Sequence, residues 1–283
     1  MFALRLAAAV RLHNGATIAP RARGAPPMPV LELFEYEPSP YCRLVRETLC
    51  VLGLRATIFP CPRETLRREG AYSSRATHRA EVRARGGRLA FPYLHDRTAG
   101  VALNESGAIC AHLWRNYGAD VERPVIDRIL NGGVLPRFLE FGWLAAPSGL
   151  RPLPSHGLMA APARQPEHTL VLHSCEPDPG CRMVREVLCT LQIAYESQPV
   201  SMCDSSSLPH LEDPNTGFRG FGARAIVTYL EDTYRLGPTL GLDAEVPEPN
   251  LGDADRSSWL TLPIGTLFPP AVAAPPDQKS RGR

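Results

Sequence analysis

The sequence predicts an α/β protein that contains two copies of one β-α-β-α-β-β-α unit, the second copy shorter than the first. The first observation is a repeat: segment 37–47 (EPSPYCRLVRE) recurs 139 positions later as segment 176–186 (EPDPGCRMVRE). The second is a strand-like stretch, 31–33, that aligns with 170–172 at the same spacing. A match of this length does not arise by chance, so the chain contains two copies of one structural unit. Residues at matching positions of the two copies can therefore be compared.

The first unit opens with a β-α-β pattern. Residues 30–36 are rich in strand formers. Ser39 followed by Pro40 is typical of a helix start, because serine caps free N–H groups and proline lacks one. Apolar residues then recur at helical spacing until Gly53, and residues 55–59 form a second strand-like stretch. We expect two parallel strands joined by a crossover helix.

The rest of the first unit predicts a weak helix, a hairpin and a final helix. Residues 60–86 are basic and polar, which indicates a loop with one weak helix. Residues 89–94 and 101–103 flank a turn and predict the two hairpin strands. An apolar helix follows and ends near Gly118.

The second unit repeats the opening and the end of the first but not its middle. Residues 208–213 (LPHLED) match 91–96 (FPYLHD) at a spacing of 117 rather than 139, so 22 residues are missing between helix and hairpin. They correspond to the basic loop and the weak helix. The predicted division of the chain is a leader 1–29, a first unit 30–118, an extended linker 119–167, a second unit 168–237 and a disordered proline-rich tail 238–283.

The leader carries four arginines and no acidic residue. Its apolar run is interrupted by Arg11, which suits an organelle transit peptide better than a secretory signal. The expected destination is the chloroplast, and the mitochondrion is the alternative. An untargeted disordered extension is the other interpretation of this segment.

Composition excludes several classes of function. A net charge of +2 is too small to indicate a nucleic-acid or membrane surface. No run approaches the roughly 18 apolar residues of a membrane span. The eight cysteines include no C-x-x-C pair, which excludes a zinc ribbon or a dithiol redox motif of that pattern. We expect reduced thiols that are mostly packed.

Three motifs of the first unit stand at the joints between its predicted elements. They are the turn 39–42 (SPYC) before the first helix, Pro92 before the hairpin, and the pair Glu105-Ser106 before the last helix. Together with the element order, they resemble the thioredoxin-like N-terminal domain of glutathione S-transferases and glutaredoxins. More narrowly, the chain is similar to tandem proteins of plants, algae and bacteria that carry two such domains. The resemblance implies two thioredoxin-like domains in tandem and glutathione as co-substrate.

The resemblance also implies which residues bind glutathione. A cis peptide bond would join Phe91 to Pro92, and the backbone there would bind the cysteinyl part; a trans proline entering an edge strand is the alternative. Ser106 and the N–H groups of the last helix would meet a glutathione carboxylate, and Glu105 would meet the ammonium group. A plain capping role for this pair is the other interpretation.

Ser39 and Cys42 are the implied catalytic candidates. Ser39 stands where some relatives have a nucleophilic cysteine, and a serine there can donate a hydrogen bond to a thiolate; a simple N-cap is the alternative. Cys42 could form a mixed disulfide if it is exposed, or pack behind the turn. Cys61 is a weaker redox candidate. Six arginines either attract an anionic ligand or form a solvated basic face: Arg43, Arg46, Arg67, Arg68, Arg75 and Arg79.

The second unit has lost the implied site. Asp178 stands at the position of Ser39, Gly180 at that of Tyr41, and Gly222-Ala223 at that of Glu105-Ser106. An aspartate would repel a bound thiolate, and the anchor for the γ-glutamyl group is missing. We expect this unit to be a structural or docking module. The sequence also leaves no room for the all-helical domain with which transferases bind electrophiles.

Two functions remain open on the sequence. One is a glutathione-binding protein with transferase or thiol–disulfide exchange activity in the first unit. The other is a non-catalytic scaffold or thiol redox sensor with thiol-containing protein partners. Metal binding by clustered cysteines is a third and weaker hypothesis.

Overall fold

The elements of the first unit follow the predicted order. The computed structural model describes residues 6, 9–19, 28–63, 77–86, 89–118, 121–131, 157–202 and 208–236. The first unit consists of β1 (Leu31–Glu35), α1 (Pro40–Leu52), β2 (Ala56–Pro60), α2 (Thr77–Gly86), β3 (Tyr93–Asp96), β4 (Val101–Asn104) and α3 (Ser106–Tyr117). A short helix, α4 (Val125–Asn131), follows inside the segment predicted as an extended linker. Arg67, Arg68, Arg75 and the predicted tail lie outside the described residues.

The second unit has the same order without a counterpart of α2 among the described residues. It consists of β5 (Leu170–Ser174), α5 (Pro179–Thr190), β6 (Tyr195–Pro199), β7 (His210–Asp213), β8 (Phe218–Phe221) and α6 (Ala223–Tyr234). Only residues 200–209 connect β6 to β7, which is the shortening that the repeat spacing predicts. In the described part of the chain, no helix combines the length and apolar composition needed to cross a membrane.

The strands of both units form one eight-stranded sheet in the order β4-β3-β1-β2-β6-β5-β7-β8. Within each unit the first two strands are parallel and the hairpin is antiparallel to them. At the centre, β2 pairs with β6 in the antiparallel sense, with Ala56 opposite Ser197 and Ile58 opposite Tyr195. The palindromic strand order and the antiparallel central pair indicate that an approximate two-fold axis relates the two units.

Helices α1 and α5 begin in the same way. The Ser39 side chain accepts a hydrogen bond from the Cys42 N–H, and the Asp178 side chain accepts one from the Cys181 N–H. A proline occupies the first turn of each helix. The predicted N-cap is therefore confirmed, and serine and aspartate both serve because each offers an oxygen to a free backbone donor.

The main hydrophobic core is shared by both units. Its most buried members include Leu33, Leu52, Leu113, Leu172, Leu188 and Leu230. A smaller cluster contains Phe34 of β1 and Val82 of α2. Because successive strand residues point to opposite faces, Leu33 and Phe34 place these two clusters on opposite sides of the sheet. The first unit is thus covered on both faces.

Buried ion pairs join the two units and use the residues of the sequence repeat. Arg46 Nε lies 3.1 Å from Glu176 Oε2, and Arg185 Nε lies 3.2 Å from Glu37 Oε2. These pairs are reciprocal, because each arginine of one unit binds the repeated glutamate of the other. Arg43 and Arg46 are each only 5% exposed, so the prediction of a solvated basic face is wrong for them. The repeated segment therefore forms the contact between the units.

Part of the leader also packs into the fold. Arg11 is 2% exposed, and its Nε donates a 3.0 Å hydrogen bond to Glu47. The Asn14 amide donates to both Glu47 and Asp127 of α4. Two backbone bonds tie this segment to both units: the Ala19 N–H donates to Val51 O, and the Met202 N–H donates to Ala16 O. Residues 9–19 thus contribute to the structure of both units.

Candidate functional site

The start of α1 places Ser39 in a buried position. Its side-chain oxygen lies 3.3 Å from the Cys42 nitrogen, and the residue is 1% exposed. The Ser39 N–H also donates to Tyr36 O, which closes the turn before the helix. The hydroxyl therefore caps the helix and also hydrogen-bonds to the Cys42 thiol.

The proline before the hairpin is in the cis form. The Phe91–Pro92 peptide bond is cis, as the resemblance implied, and so is the Leu208–Pro209 bond of the second unit. The Phe91 ring meets the Tyr36 ring edge-on at a centroid distance of 6.1 Å. The Arg79 guanidinium lies 5.1 Å from the centre of the Phe91 ring. These contacts bring the proline loop next to the turn that precedes α1.

Glu105 holds an unusual backbone conformation at the start of α3. It has φ 72° and ψ 118°, and its side chain makes no capping hydrogen bond to the helix. Gly222, at the equivalent place in the second unit, has φ 79° and ψ 139°. A positive φ of this kind suits glycine and strains a residue with a side chain. Glu105 is exposed and the adjacent Ser106 is buried.

The second unit shows how closely these three motifs converge. A Cβ atom placed on Gly180 would lie 3.1 Å from Asp178 Oδ1, 3.2 Å from Pro209 Cδ and 3.4 Å from Ala223 Cβ. These residues are the counterparts of Tyr41, Ser39, Pro92 and Ser106. Since the two units have the same element order, we expect Ser39, Pro92 and Ser106 of the first unit to lie near Tyr41.

A cavity of about 650 Å³ occupies this place in the second unit. Its lining includes Asp178, Gly180, Pro209 and Ala223. Ala9 and His13 of the leader form part of the wall. The second unit therefore keeps a concave surface at the place of the predicted glutathione site, although its side chains differ from those of the first unit.

Cys42 has the properties of a packed thiol. Its side chain is fully buried. Burial and the nearby Glu35 raise the pKa of Cys42 to about 12, and the hydrogen bond from Ser39 lowers it only in part. A thiol that is protonated and closed to solvent is not a nucleophile at neutral pH. This environment opposes the catalytic role that the resemblance implied for Cys42.

The other described thiols resemble Cys42. Cys61 is buried, and burial raises its pKa far above the ordinary value despite the nearby Arg79. Burial likewise raises the pKa of four more cysteines: Cys50, Cys110, Cys175 and Cys181. Cys189 is also buried, and Cys203 lies outside the described residues. The expectation of packed thiols is confirmed for the seven described cysteines.

A second cavity, of about 520 Å³, lies away from the predicted site residues. Its lining includes Glu32, Arg85, His95 and Arg97. Burial raises the pKa of Glu32, but hydrogen bonds from His95 and Arg85 outweigh burial and hold it below its ordinary value. The Glu32 carboxylate is thus already hydrogen-bonded to His95 and Arg85. None of the predicted glutathione-binding residues lines this cavity.

In each unit, a buried aspartate of the hairpin accepts hydrogen bonds from the final helix, a contact that was not predicted from the sequence. Asp96 is buried and accepts hydrogen bonds from Tyr117 Oη at 2.5 Å and from His112 Nε2 at 2.8 Å. Asp213 accepts hydrogen bonds from Tyr234 and Tyr229 in the same way. The aspartate and the last tyrosine recur at the spacing of 117, which was the available signal. These bonds hold the hairpin against α3, the helix that carries Ser106.

Comparison with known families identifies the first unit. Residues 33–123 match the family model of the glutathione S-transferase N-terminal domain. The first unit thus has a thioredoxin-like fold of this type, and the matched stretch contains all six predicted site residues: Ser39, Cys42, Phe91, Pro92, Glu105 and Ser106. No curated protein and no solved structure gave a significant match.

Proposed function

We propose that the first unit binds glutathione through the start of α1, the Phe91–Pro92 loop and the start of α3. The family match spans all three segments. Backbone N–H and C=O groups at the Phe91–Pro92 loop would offer hydrogen bonds to a peptide-like ligand. Glutathione is such a ligand, with a cysteinyl peptide in the middle and charged groups at its ends.

The observation that carries this proposal is the backbone of Glu105. At the same place the second unit has Gly222, which adopts positive φ without strain. The first unit has a glutamate there, although a non-glycine residue in such a region costs about 1–3 kcal/mol. Strained residues of this kind cluster at ligand sites. We therefore assign the Glu105 carboxylate to the ammonium group of the γ-glutamyl end.

The neighbouring groups complement the other charges of glutathione. Ser106 begins α3, where free N–H groups and the positive end of the helix dipole favour a carboxylate. Ser39 begins α1, and its hydroxyl, which hydrogen-bonds to the Cys42 thiol, would have to turn to reach the glutathione sulfur. Because Ser39 is 1% exposed, this last contact also requires the groups that cover it to move. Thiolate activation by Ser39 is therefore the part of the proposal that needs a rearrangement.

Thiol–disulfide exchange through Cys42 is not part of the proposal. Its burial and raised pKa keep the thiol protonated and out of reach of a disulfide. We likewise assign no glutathione site to the second unit, since Asp178 would repel a thiolate and Gly222-Ala223 supplies no side-chain partner for the γ-glutamyl group. Binding by the first unit, with the second as its structural counterpart, is the function that the geometry supports best.

The test is calorimetric titration of the full chain with reduced glutathione, using the wild type and Glu105→Gly. This variant copies the residue of the second unit, which has the same backbone conformation, and it removes the side chain with its carboxylate. We expect saturable binding by the wild type and a loss of at least about tenfold in the variant, because a hydrogen bond to a charged group contributes about 1.5–3 kcal/mol.

Two controls define the outcome. The dipeptide cysteinyl-glycine lacks the γ-glutamyl group, so the weak binding expected for it should be equal in both proteins. Ala223→Ser in the second unit should leave glutathione affinity unchanged. Equal glutathione affinity of the wild type and Glu105→Gly would contradict the site, and absence of binding by the wild type would contradict the function.

A further inference from the structure

Two histidines and a glutamate meet on one face of the sheet in the second unit. His173 of β5 lies directly opposite His210 of β7 in the antiparallel register. Glu212 follows His210 by two residues and therefore points to the same face. None of these side chains takes part in the glutathione site proposed above.

The donor atoms of this group are close together. His173 Nε2 lies 3.4 Å from Glu212 Oε1, and His210 Nε2 lies 3.9 Å from the same oxygen. One ligand atom from each residue falls within 4.8 Å of the other two. Tetrahedral ligands at about 2.0–2.1 Å from a zinc ion are separated by roughly 3.4 Å. Because an imidazole nitrogen binds a metal in the plane of its ring, the two stacked histidine rings would have to turn toward each other for all three atoms to bind one ion.

The His210 ring stacks on two neighbouring rings, and its Nε2 atom lacks a hydrogen bond among the described residues. The ring stacks on His173 at a centroid distance of 4.9 Å and on Phe221 at 4.2 Å. Nε2 is buried and has no hydrogen-bond partner in the described part of the chain. Buried polar atoms in native proteins nearly always form a hydrogen bond, so a buried nitrogen without one is unusual. A metal ion would give it a partner.

In the first unit, aromatic residues stand at the positions of the two histidines. By the two repeat spacings, Phe34 and Tyr93 take the positions of His173 and His210. In the first unit both rings belong to the cluster that packs beneath α2. The second unit lacks a described counterpart of α2, and side chains that can bind a metal replace the aromatic pair. His173, His210 and Glu212 remain 27%, 19% and 33% exposed.

We propose that His173, His210 and Glu212 bind one divalent transition-metal ion of the zinc class. Two imidazoles and a carboxylate are ligands that zinc accepts, and three protein ligands leave a fourth position for water or another small ligand. Arg219 Nη2 lies 3.6 Å from Glu212 Oε2 and competes with the ion for this carboxylate. Since Arg219 is 76% exposed, it can turn into solvent when the ion binds.

The experiment is a titration of the chelator-treated full chain with Zn²⁺ in competition with a chromophoric chelator. We expect one ion per chain, with affinity reduced at least about tenfold in His210→Asn and in Glu212→Gln. Arg219→Ala should tighten binding by up to about fivefold, because it removes the exposed competing pair. His95→Ala, on the matching strand of the first unit, should leave both stoichiometry and affinity unchanged.

A Co²⁺ titration separates these ligands from the cysteines. Binding by nitrogen and oxygen donors gives visible absorption bands without the near-ultraviolet band of a cobalt thiolate, and we expect that spectrum. Three results would overturn the proposal: no saturable binding, binding that is equal in the wild type and both ligand variants, or a thiolate spectrum. Far-ultraviolet circular dichroism of each variant confirms that it is folded.

Discussion

At the scale of single residues, Glu105 and Gly222 show how the two copies diverged at one backbone position. Both have positive φ, so the fold imposes this conformation in each unit. Only glycine adopts it without strain. A Cβ atom on Gly222 would meet no atom within 4 Å, so backbone strain alone distinguishes glycine from alanine there. The first unit retains its strain together with a carboxylate, which is the pattern expected of a binding residue.

We predict that Glu105→Gly stabilises the full chain by about 1 kcal/mol. It relieves about 1–3 kcal/mol of strain and loses about 0.5–1 kcal/mol to the greater freedom of glycine in the unfolded chain. The matched variant Gly222→Ala should destabilise by about 1 kcal/mol, because the same two effects act with opposite sign. Urea denaturation of both variants is the measurement. A loss of stability in Glu105→Gly would show that the glutamate is structural rather than a binding residue.

Glu35 is a second residue with an unusual environment. It is buried and paired with Arg46. Burial raises its pKa to about 7, Arg46 opposes this, and the neighbouring Glu37 and Glu176 raise it further. Three carboxylates share Arg46 and Arg185 here, so a proton on one of them reduces the excess negative charge.

We predict a pH dependence of stability that Glu35→Gln removes. The folded-state pKa of about 7 exceeds the unfolded value of 4.5, so the folded state binds the extra proton. Its stabilising effect is complete below pH 4.5 and is lost as the pH rises through about 7. Between pH 5 and pH 8, the free energy of unfolding of the variant should rise relative to the wild type by up to about 3 kcal/mol.

The measurement is urea denaturation of both proteins at several pH values in this window. A constant difference between wild type and Glu35→Gln from pH 5 to pH 8 would mean that Glu35 is ionised throughout. In that case Arg46 outweighs the effect of burial.

At the scale of elements, α1 and α5 show what the repeated segment does. Each helix starts at a side-chain cap and carries an arginine that crosses to the other unit. The changes at Ser39, Tyr41 and the start of α3 fall instead around the proposed glutathione site, and the remaining change in the repeated segment is Leu44 to Met183. The repeat therefore retains the contact between units, while the ligand side varies. The presence of α2 in the first unit alone changes the opposite face of the sheet.

The leader is an element whose removal should be costly. Arg11 and Asn14 both bind Glu47, which is 0% exposed. We predict that a chain beginning at residue 28 loses at least about 2 kcal/mol of stability, because breaking a buried pair leaves an uncompensated charge and Arg43 replaces Arg11 only in part. Arg11→Met should reproduce most of this loss.

Thermal and urea denaturation of these chains provide the test. In a Glu47→Gln background, Arg11→Met should cost much less, since no buried charge is left without a partner. A truncated chain as stable as the full one would contradict a structural role for residues 9–19. Transport to the chloroplast or mitochondrion stays a prediction, and a processing site before residue 9 would be compatible with this packing.

At the scale of the whole molecule, the two units complete each other. In isolation, β2 and β6 would each be an edge strand with unpaired backbone groups. Their pairing joins the two halves into one sheet. The reciprocal pairs of Arg46 with Glu176 and of Arg185 with Glu37 lie at the same contact. We infer that neither unit is stable alone in the form that it has here.

We predict that Arg185→Met destabilises the full chain by about 3–5 kcal/mol. It leaves Glu37 and Glu176 buried with one arginine fewer, which is the costly way to break a buried ion pair. Adding Glu37→Gln should restore part of the loss, since it removes one unmatched charge. Arg97→Met, at an arginine that is 59% exposed, should change stability by less than about 0.5 kcal/mol.

Equilibrium urea denaturation of the four proteins gives these values. If the double variant is no more stable than Arg185→Met, the cross-unit pair is not the source of the loss. Equal effects of Arg185→Met and Arg97→Met would show that solvent reaches the cluster.

Much of the fold could be predicted because it depends on neighbours in the chain. The N-cap at Ser39, the proline at Pro40 and the left-handed end at Gly53 are local features, and all three are present. The cis bond at Pro92 followed from the resemblance. The packing of Cys42 behind the turn was one of the two interpretations of the sequence, whereas the burial of Arg46 could not be predicted, because it depends on surfaces that come from distant parts of the chain.

The sequence by itself determined the repeat, the element order, the missing middle of the second unit and the set of candidate glutathione residues. Local periodicity and residue spacing suffice for these features. Only the tertiary structure decided that repeated arginines and glutamates join the units, that Arg11 is buried, and that His173 and His210 meet Glu212. The environment of a side chain depends on which surfaces pack together, and strand pairing brings together residues that the sequence separates.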